Sequence, residues 1–257
     1  MNLRFPGIWK PRGPIGLDLS GRCLAAAQLG PERKGGRTLM AAARMERANP
    51  AKPFGLEDAT GLFGVLDRSG FEGRQVVIAA PRELLMASVL ELPPRSSGAP
   101  LEEIARLELA RANKCDPASF EMAMWDLPAP GRGGDATSVM AVALSHDRAD
   151  QVVRVFDQVG LEVVGIDARS CALMRACGTE SGLDGGESGF SAILDVGWDA
   201  AQLVVELGGV VLYERSIAEA GLGRLFEAVN SRFGVDPAAA MMLLCTPADG
   251  VTDPAYE

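Results

Sequence analysis

Two short segments carry the residue types that could do chemistry. Ile15-Gly16-Leu17-Asp18-Leu19-Ser20-Gly21 and Ile193-Leu194-Asp195-Val196-Gly197 each set an acidic residue at the end of an apolar, strand-like run, with small residues in the following turn. Such a turn lets backbone N–H groups approach a phosphate, while the carboxylate can order the water shell of a bound magnesium ion. Taken singly, an Asp and a Gly at a strand end are ordinary turn chemistry. Their recurrence at the start of two similar strand patterns makes them candidates for two turns that face each other across a nucleotide.

The surrounding elements would have to hold those turns in place. Alternation over 14–29, broken at Ser20 and Gly21, predicts a hairpin, and a third strand is expected over 38–43. Apolar spacing over 56–66 predicts a helix closed by Gly70, and 75–80 reads as a buried strand ended by Pro81. From 84 to 166 the order is strand, helix, strand, strand, helix, strand, which reads as a compact inserted α+β unit. A helix over 170–176, a polar Gly-rich linker over 182–189, a strand over 191–196, a hairpin across Gly208 and Gly209 and a helix over 222–232 follow. The second half thus repeats the opening hairpin plan of the first, the strongest organisational feature of the sequence.

Bulk properties narrow the function. The 257 residues suffice for a large two-lobed domain, and 47% hydrophobic content suits a folded α/β chain. A formal net charge of -9 gives no general field for gathering phosphates, so nucleic-acid binding is not expected. Arg4, Lys10 and Arg12 around Phe5, Ile8 and Trp9 form a local basic and apolar spot that would suit a membrane surface or a partner, or simply a solvated leader. The five cysteines (Cys23, Cys115, Cys171, Cys177 and Cys245) include no close CxxC pair and share one histidine, His146, which predicts reduced thiols in core or surface roles. No secretory leader or membrane-spanning run is visible, so a cytoplasmic location is expected. No Gly-x-Ser-x-Gly elbow occurs, and Glu102, Glu103 and Glu108 read as the solvated face of a helix.

Over most of its length the sequence resembles the fold shared by actin, the heat-shock chaperone ATPases and the sugar kinases, and within it the PilM-type and FtsA-type proteins. The likeness rests on the Asp18 turn, the Val76 strand ending Ala79-Ala80-Pro81, Leu90-Glu91-Leu92-Pro93 before a helix, and Val159-Gly160-Leu161 leading to Ile166-Asp167. It continues through Leu194-Asp195-Val196-Gly197, Arg215-Ser216-Ile217 and Gly221. The resemblance implies an actin-like, ribonuclease-H-type α/β fold with an inserted small α+β subdomain and an incomplete second lobe. Its expected parts are a first lobe (1–82), an insert (83–166), a return to the first lobe with a linker (167–187) and a partial second lobe (188–257). It also implies ATP against Asp18, Ser20, Gly21, Asp195, Gly197 and Gly221, with magnesium near Asp18 and Asp195.

The chain departs from the family pattern at those turns. Ser20 stands for a glycine, Ala25 for a lysine, Trp198 for a small residue and Ala200-Ala201 for hydroxyl residues, and Ala239-Ala240-Met241-Met242 lacks an acidic contact to the nucleoside. Losing the lysine removes a point charge from the phosphates. The function that the resemblance implies is therefore a cytoplasmic scaffold of a type IV pilus or type II secretion platform at the inner-membrane face. Such a scaffold grips the N-terminal tail of a PilN-like membrane partner between the first lobe and the insert, with a homo-oligomer left open. The alternative is an actin-fold ATPase using Asp18 and Asp195.

Overall fold

The computed structural model describes residues 12–19, 21–31, 36–128, 137–177, 189–236 and 239–242. Period-two alternation forms β1 (Ile15–Asp18) and β2 (Cys23–Leu29), so that Ile15, Leu17, Leu24 and Ala26 share one buried face. β2 pairs antiparallel with β1 and with β3 (Leu39–Glu46). Helix α1 (Leu56–Arg68) presents Leu62 and Leu66 to that face and ends before Gly70, whose φ of 77° takes the left-handed turn. Strand β4 (Gln75–Ala80) lies parallel to β1, adding Val76 and Ile78 to the same core. Each such fully buried side chain contributes about 1.5–3 kcal/mol.

Buried Gln28 ties this layer together: its side-chain amide donates to the carbonyls of Gly13 (2.9 Å) and Glu72 (2.7 Å) and accepts from the Glu72 amide (2.9 Å). Arg12, part of the basic N-terminal spot, pairs with Glu72 at 2.7 Å and donates to the Gly70 carbonyl. The remainder of that spot lies outside the described residues.

After a short 3-10 turn over Arg82–Leu84, β5 (Met86–Leu92), α2 (Leu101–Asn113), β6 (Phe120–Asp126) and β7 (Thr137–Ser145) build a separate antiparallel sheet in the order β5-β7-β6. Its core joins Leu109 and Ala110 of α2 to Phe120, Ala141 and Ala143, while Glu102, Glu103 and Glu108 stay in solvent. Trp125, on the opposite face of β6 from Phe120, donates its indole N–H to the carbonyl of Val211 at 3.0 Å.

Helix α3 (His146–Gln158) and strand β8 (Glu162–Ala168) then return to the first sheet. β8 runs parallel to β4, with Ile166 opposite Ile78, and Phe156 of α3 is fully buried in the core of β1 and α1. The sequence reading places both elements in the insert. The strand pairing differs, because alternation identifies a strand but says nothing of which distant strand it joins. The first sheet therefore has the order β3-β2-β1-β4-β8.

Helix α4 (Arg169–Cys177) leads toward a second sheet of β9 (Phe190–Val196), β10 (Ala201–Leu207) and β11 (Val210–Ile217), antiparallel in the order β11-β10-β9. Helix α5 (Leu222–Phe233) follows and closes at Gly234, φ 66°. Most of the linker over 182–189 lies outside the described residues. Among the described residues, no helix is long and apolar enough to cross a membrane.

Cys23, Cys115, Cys171 and Cys177 are free thiols, and Cys245 lies outside the described residues. His146 approaches Glu121 at 3.2 Å in solvent, and no group of three or more His, Cys, Asp or Glu among the described residues could hold a metal ion. Burial, then the neighbouring Asp167 charge, pushes the Cys171 thiol above the usual range. Its thiolate fraction at pH 8 is correspondingly small, and it rises only at more alkaline pH. Iodoacetamide is therefore expected to label exposed Cys177 at least about tenfold faster than Cys171 at pH 8, a gap that narrows as pH increases. Peptide mapping by mass spectrometry reads both rates.

Candidate functional site

Both acidic turns end at one cleft. Asp18 is the last residue of β1 and Asp195 the penultimate residue of β9, so the two strands deliver their carboxylates from separate sheets. Arg169 lies between them. One terminal nitrogen of its guanidinium lies 3.2 Å from Asp18 Oδ2 and 2.7 Å from Asp195 Oδ2. The three side chains are 19%, 32% and 28% exposed, respectively, partly screened from water. The contact with Asp195 is electrostatic rather than directed: Arg169 Nε and Asp195 Oδ2 are buried and have no hydrogen-bond partner among the described residues.

Arg169 was not singled out by the sequence reading. It is the first residue of α4, a helix with no acidic residue in its first turn, and a cation there opposes the helix dipole. That local conflict is the signal that could have marked it, and the two carboxylates resolve it.

The first turn is held from behind by Arg47, also unmarked in the sequence. Its guanidinium forms a two-pronged contact with Asp58 (3.1 and 2.9 Å) and donates to the carbonyls of Gly21 (3.2 Å) and Lys52 (2.7 Å). Its backbone amide donates to the Arg22 carbonyl at 2.9 Å. Asp58 in turn accepts from the Gly55 amide at the start of α1. Gly21 sits at φ 52°, and a Cβ there would lie 2.9 Å from Asp199 Oδ2, so the first turn closes directly on the second. Ser20 lies outside the described residues.

In the second turn the Gly197 amide donates to the Ala200 carbonyl at 3.0 Å. Trp198 stacks on Phe226 of α5 with ring centroids 5.3 Å apart, and the Arg22 guanidinium lies 4.6 Å from its ring centre. The first amides of α5 are already engaged: Leu222 donates to the Gly197 carbonyl (3.0 Å) and Gly223 to the Trp198 carbonyl (2.9 Å). These are among the donors that a helix start would offer an anion.

Gly221 makes that docking feasible, since a Cβ there would lie 2.5 Å from the Trp198 carbonyl oxygen. Its φ of -71° suits any residue, so the constraint is steric alone. Gly221→Ala is expected to push α5 off the second turn and cost about 1–2 kcal/mol. Thermal denaturation measures the loss, and faster hydrogen exchange of the Leu222 and Gly223 amides would locate it.

The cleft between the turns has a volume of about 550 Å³ and is lined by Gly21, Arg22, Arg44, Arg169, Trp198 and Met241 among others. Ala25 stands directly opposite Asp18 in the β1 and β2 register, so a methyl group occupies the position for which the resemblance calls for a lysine. The structure thus brings Asp18, Gly21, Asp195, Gly197 and Gly221 to one region, with Arg169 at its centre. Arg82 adds a tie between the sheets, pairing with Glu214 of β11 at 2.8 Å.

No protein-family model and no curated protein matches this chain. Among solved structures, a chain of a PilM-PilN type IV pilus biogenesis complex superposes with a TM-score of 0.69 at 20% identity, covering 90% of this chain and 68% of its own length. The cytoplasmic domain of EpsL, an inner membrane component of the type II secretion system of Vibrio cholerae, aligns at TM-score 0.48 and 14% identity over 86% of this chain and 77% of that one. The ethanolamine utilization protein EutJ from Carboxydothermus hydrogenoformans aligns at 0.49 and 14% identity, over 91% and 61%. These last two are looser likenesses. With β1 flanked by antiparallel β2 and parallel β4, a separate α/β insert and a second sheet that repeats the first hairpin, the chain has the actin-like fold seen in the PilM-PilN complex.

Proposed function

We propose that this protein is a docking scaffold of the type IV pilus or type II secretion class that holds the extended tail of a PilN-like membrane partner. The observation that carries this reading is Arg169, whose guanidinium stands where a magnesium nucleotide would need cation-free carboxylates. A magnesium ion and a guanidinium compete for the same oxygens, so this donor set does not fit a magnesium nucleotide. The engaged amides of α5 and the methyl of Ala25 remove two further sources of phosphate affinity. The likeness to a chain of the PilM-PilN complex supplies the partner class.

Fold likeness alone does not assign function, so the tail itself is the test. Strand β5 is an edge of the insert sheet, reached from β4 by the short turn over Arg82–Leu84, and Val89 on it is 56% exposed. An extended peptide can pair its backbone along such an edge, with side-chain pockets setting specificity. A fluorescent peptide carrying the N-terminal cytoplasmic segment of a PilN-type protein is expected to bind saturably, and Val89→Pro is expected to weaken it at least about tenfold by blocking the edge. Absence of binding to the wild-type chain would sink the reading.

A further inference from the structure

Sulfur atoms of the insert gather beneath the end of α2. Lys114 takes a left-handed conformation there, φ 54°, and turns the chain so that the Cys115 amide donates to the Ala110 carbonyl at 3.1 Å. The turn sets the Cys115 thiol 4.0 Å from the thioether sulfur of Met86 on β5 and 3.9 Å from the Ala110 carbonyl oxygen. Strand register brings in a third sulfur-bearing side chain. Met86 and Met122 both stand opposite Ala143, one from β5 and one from β6, so the two thioethers flank a single methyl group on the face that α2 covers. Met124, two residues along β6, shares that face.

A single methionine in a core is ordinary packing. A thiol touching one thioether, with a second thioether across one alanine, is also a set of soft donors, and the geometry points to a site for a soft monovalent metal ion of the copper(I) class. Cys115 and Met86 would hold the ion, and Met122 would complete a three-sulfur set. Two sulfurs that share one ion at about 2.3 Å, at the angle of a three-coordinate centre, lie about 4 Å apart, and Cys115 and Met86 already stand at 4.0 Å. Thiolate and thioether ligands select copper(I), whereas magnesium, calcium and manganese take oxygen. Among the described residues no three His, Cys, Asp or Glu come together to offer a harder ion a competing set.

Two surroundings favour loading. The last turn of α2 presents the negative end of a helix dipole beside Ala110, which favours a cation. Met86, Cys115 and Met122 are each partly buried, screened from water yet reachable from it. On binding, the Cys115 S–H bond breaks, a sulfur–metal bond forms and the proton leaves to solvent, while the thioethers give lone pairs without losing a proton. Affinity therefore falls as pH is lowered. This inference depends neither on the tail proposed above nor on the cleft.

The test titrates the full chain, anaerobically and with isotope-labelled methionine methyl groups, with copper(I) delivered from bicinchoninate. The first equivalent is expected to shift the methyl signals of Met86 and Met122 and to leave that of Met45, which packs in the first lobe, unmoved. Cys23, Cys171 and Cys177 are also free thiols, so the methionine signals, not the total copper bound, decide the site. Met86→Leu nearly conserves volume and should leave Tm near that of the wild type, yet it is expected to weaken this site at least about tenfold. Met122→Leu is expected to do the same, and Cys115→Ala to abolish both methyl shifts. The inference is overturned if the first equivalent leaves the Met86 and Met122 signals in place, the metal having gone to another thiol. It is equally overturned if both leucine variants bind as tightly as the wild type, which would reduce Cys115 to a thiol acting alone.

Discussion

Arg47→Ala is expected to lower the stability of this protein by about 3–5 kcal/mol. Arg47 and Asp58 are only 5% and 12% exposed, so truncating the arginine leaves a carboxylate buried without its cation. It also strips the Gly21 and Lys52 carbonyls of their donor. For a chain of this size that loss corresponds to a fall of roughly 10 °C in Tm, measurable by calorimetry or circular dichroism. Arg47→Lys should recover only part of it, because an ammonium cannot make the two-pronged contact and reach both carbonyls at once. A variant with near wild-type Tm would mean that Arg47 does not hold the first turn.

The second large effect concerns Arg169. Removing it in Arg169→Ala leaves Asp18 and Asp195, which both approach the same guanidinium nitrogen, without the cation between them. Each carboxylate is close to a third exposed, so water screens part of the cost, and the expected loss is about 2–3 kcal/mol rather than the full value of a buried pair. The diagnostic sign is the response to magnesium. Millimolar magnesium chloride should raise the Tm of Arg169→Ala and leave the wild type unmoved, because only the variant offers both carboxylates to a divalent cation. A purely structural arginine would give the same destabilisation without that rescue.

Much of the fold was legible because its strands alternate. Ile15, Leu17 and Leu24 announce one buried face, and Gly70 and the Gly208-Gly209 pair mark a helix end and a hairpin turn where positive φ is required. The repeat of the Asp-containing turn was legible for the same reason. What alternation cannot convey is partnership across long separations. β8 reads as a strand from its own residues, yet its neighbour β4 lies beyond the whole insert.

The site was half legible. Asp18 and Asp195 stand out as repeated residue types, and the cleft between their turns follows from their pairing. Arg169 and Arg47 belong to no motif, and their importance comes from what surrounds them: two carboxylates for one, a buried aspartate and two turn carbonyls for the other. Trp198 was conspicuous as a bulky residue where small ones are expected. Its role comes from Phe226 and Arg22, both packed against its ring.

The most direct test of the central claim is titration calorimetry of the wild-type chain with magnesium-ATP. With Arg169 joined to both carboxylates and the α5 amides engaged, no saturable heat is predicted. Micromolar binding that disappears in Asp18→Ala and Asp195→Ala would contradict the account and make the cleft a working nucleotide site.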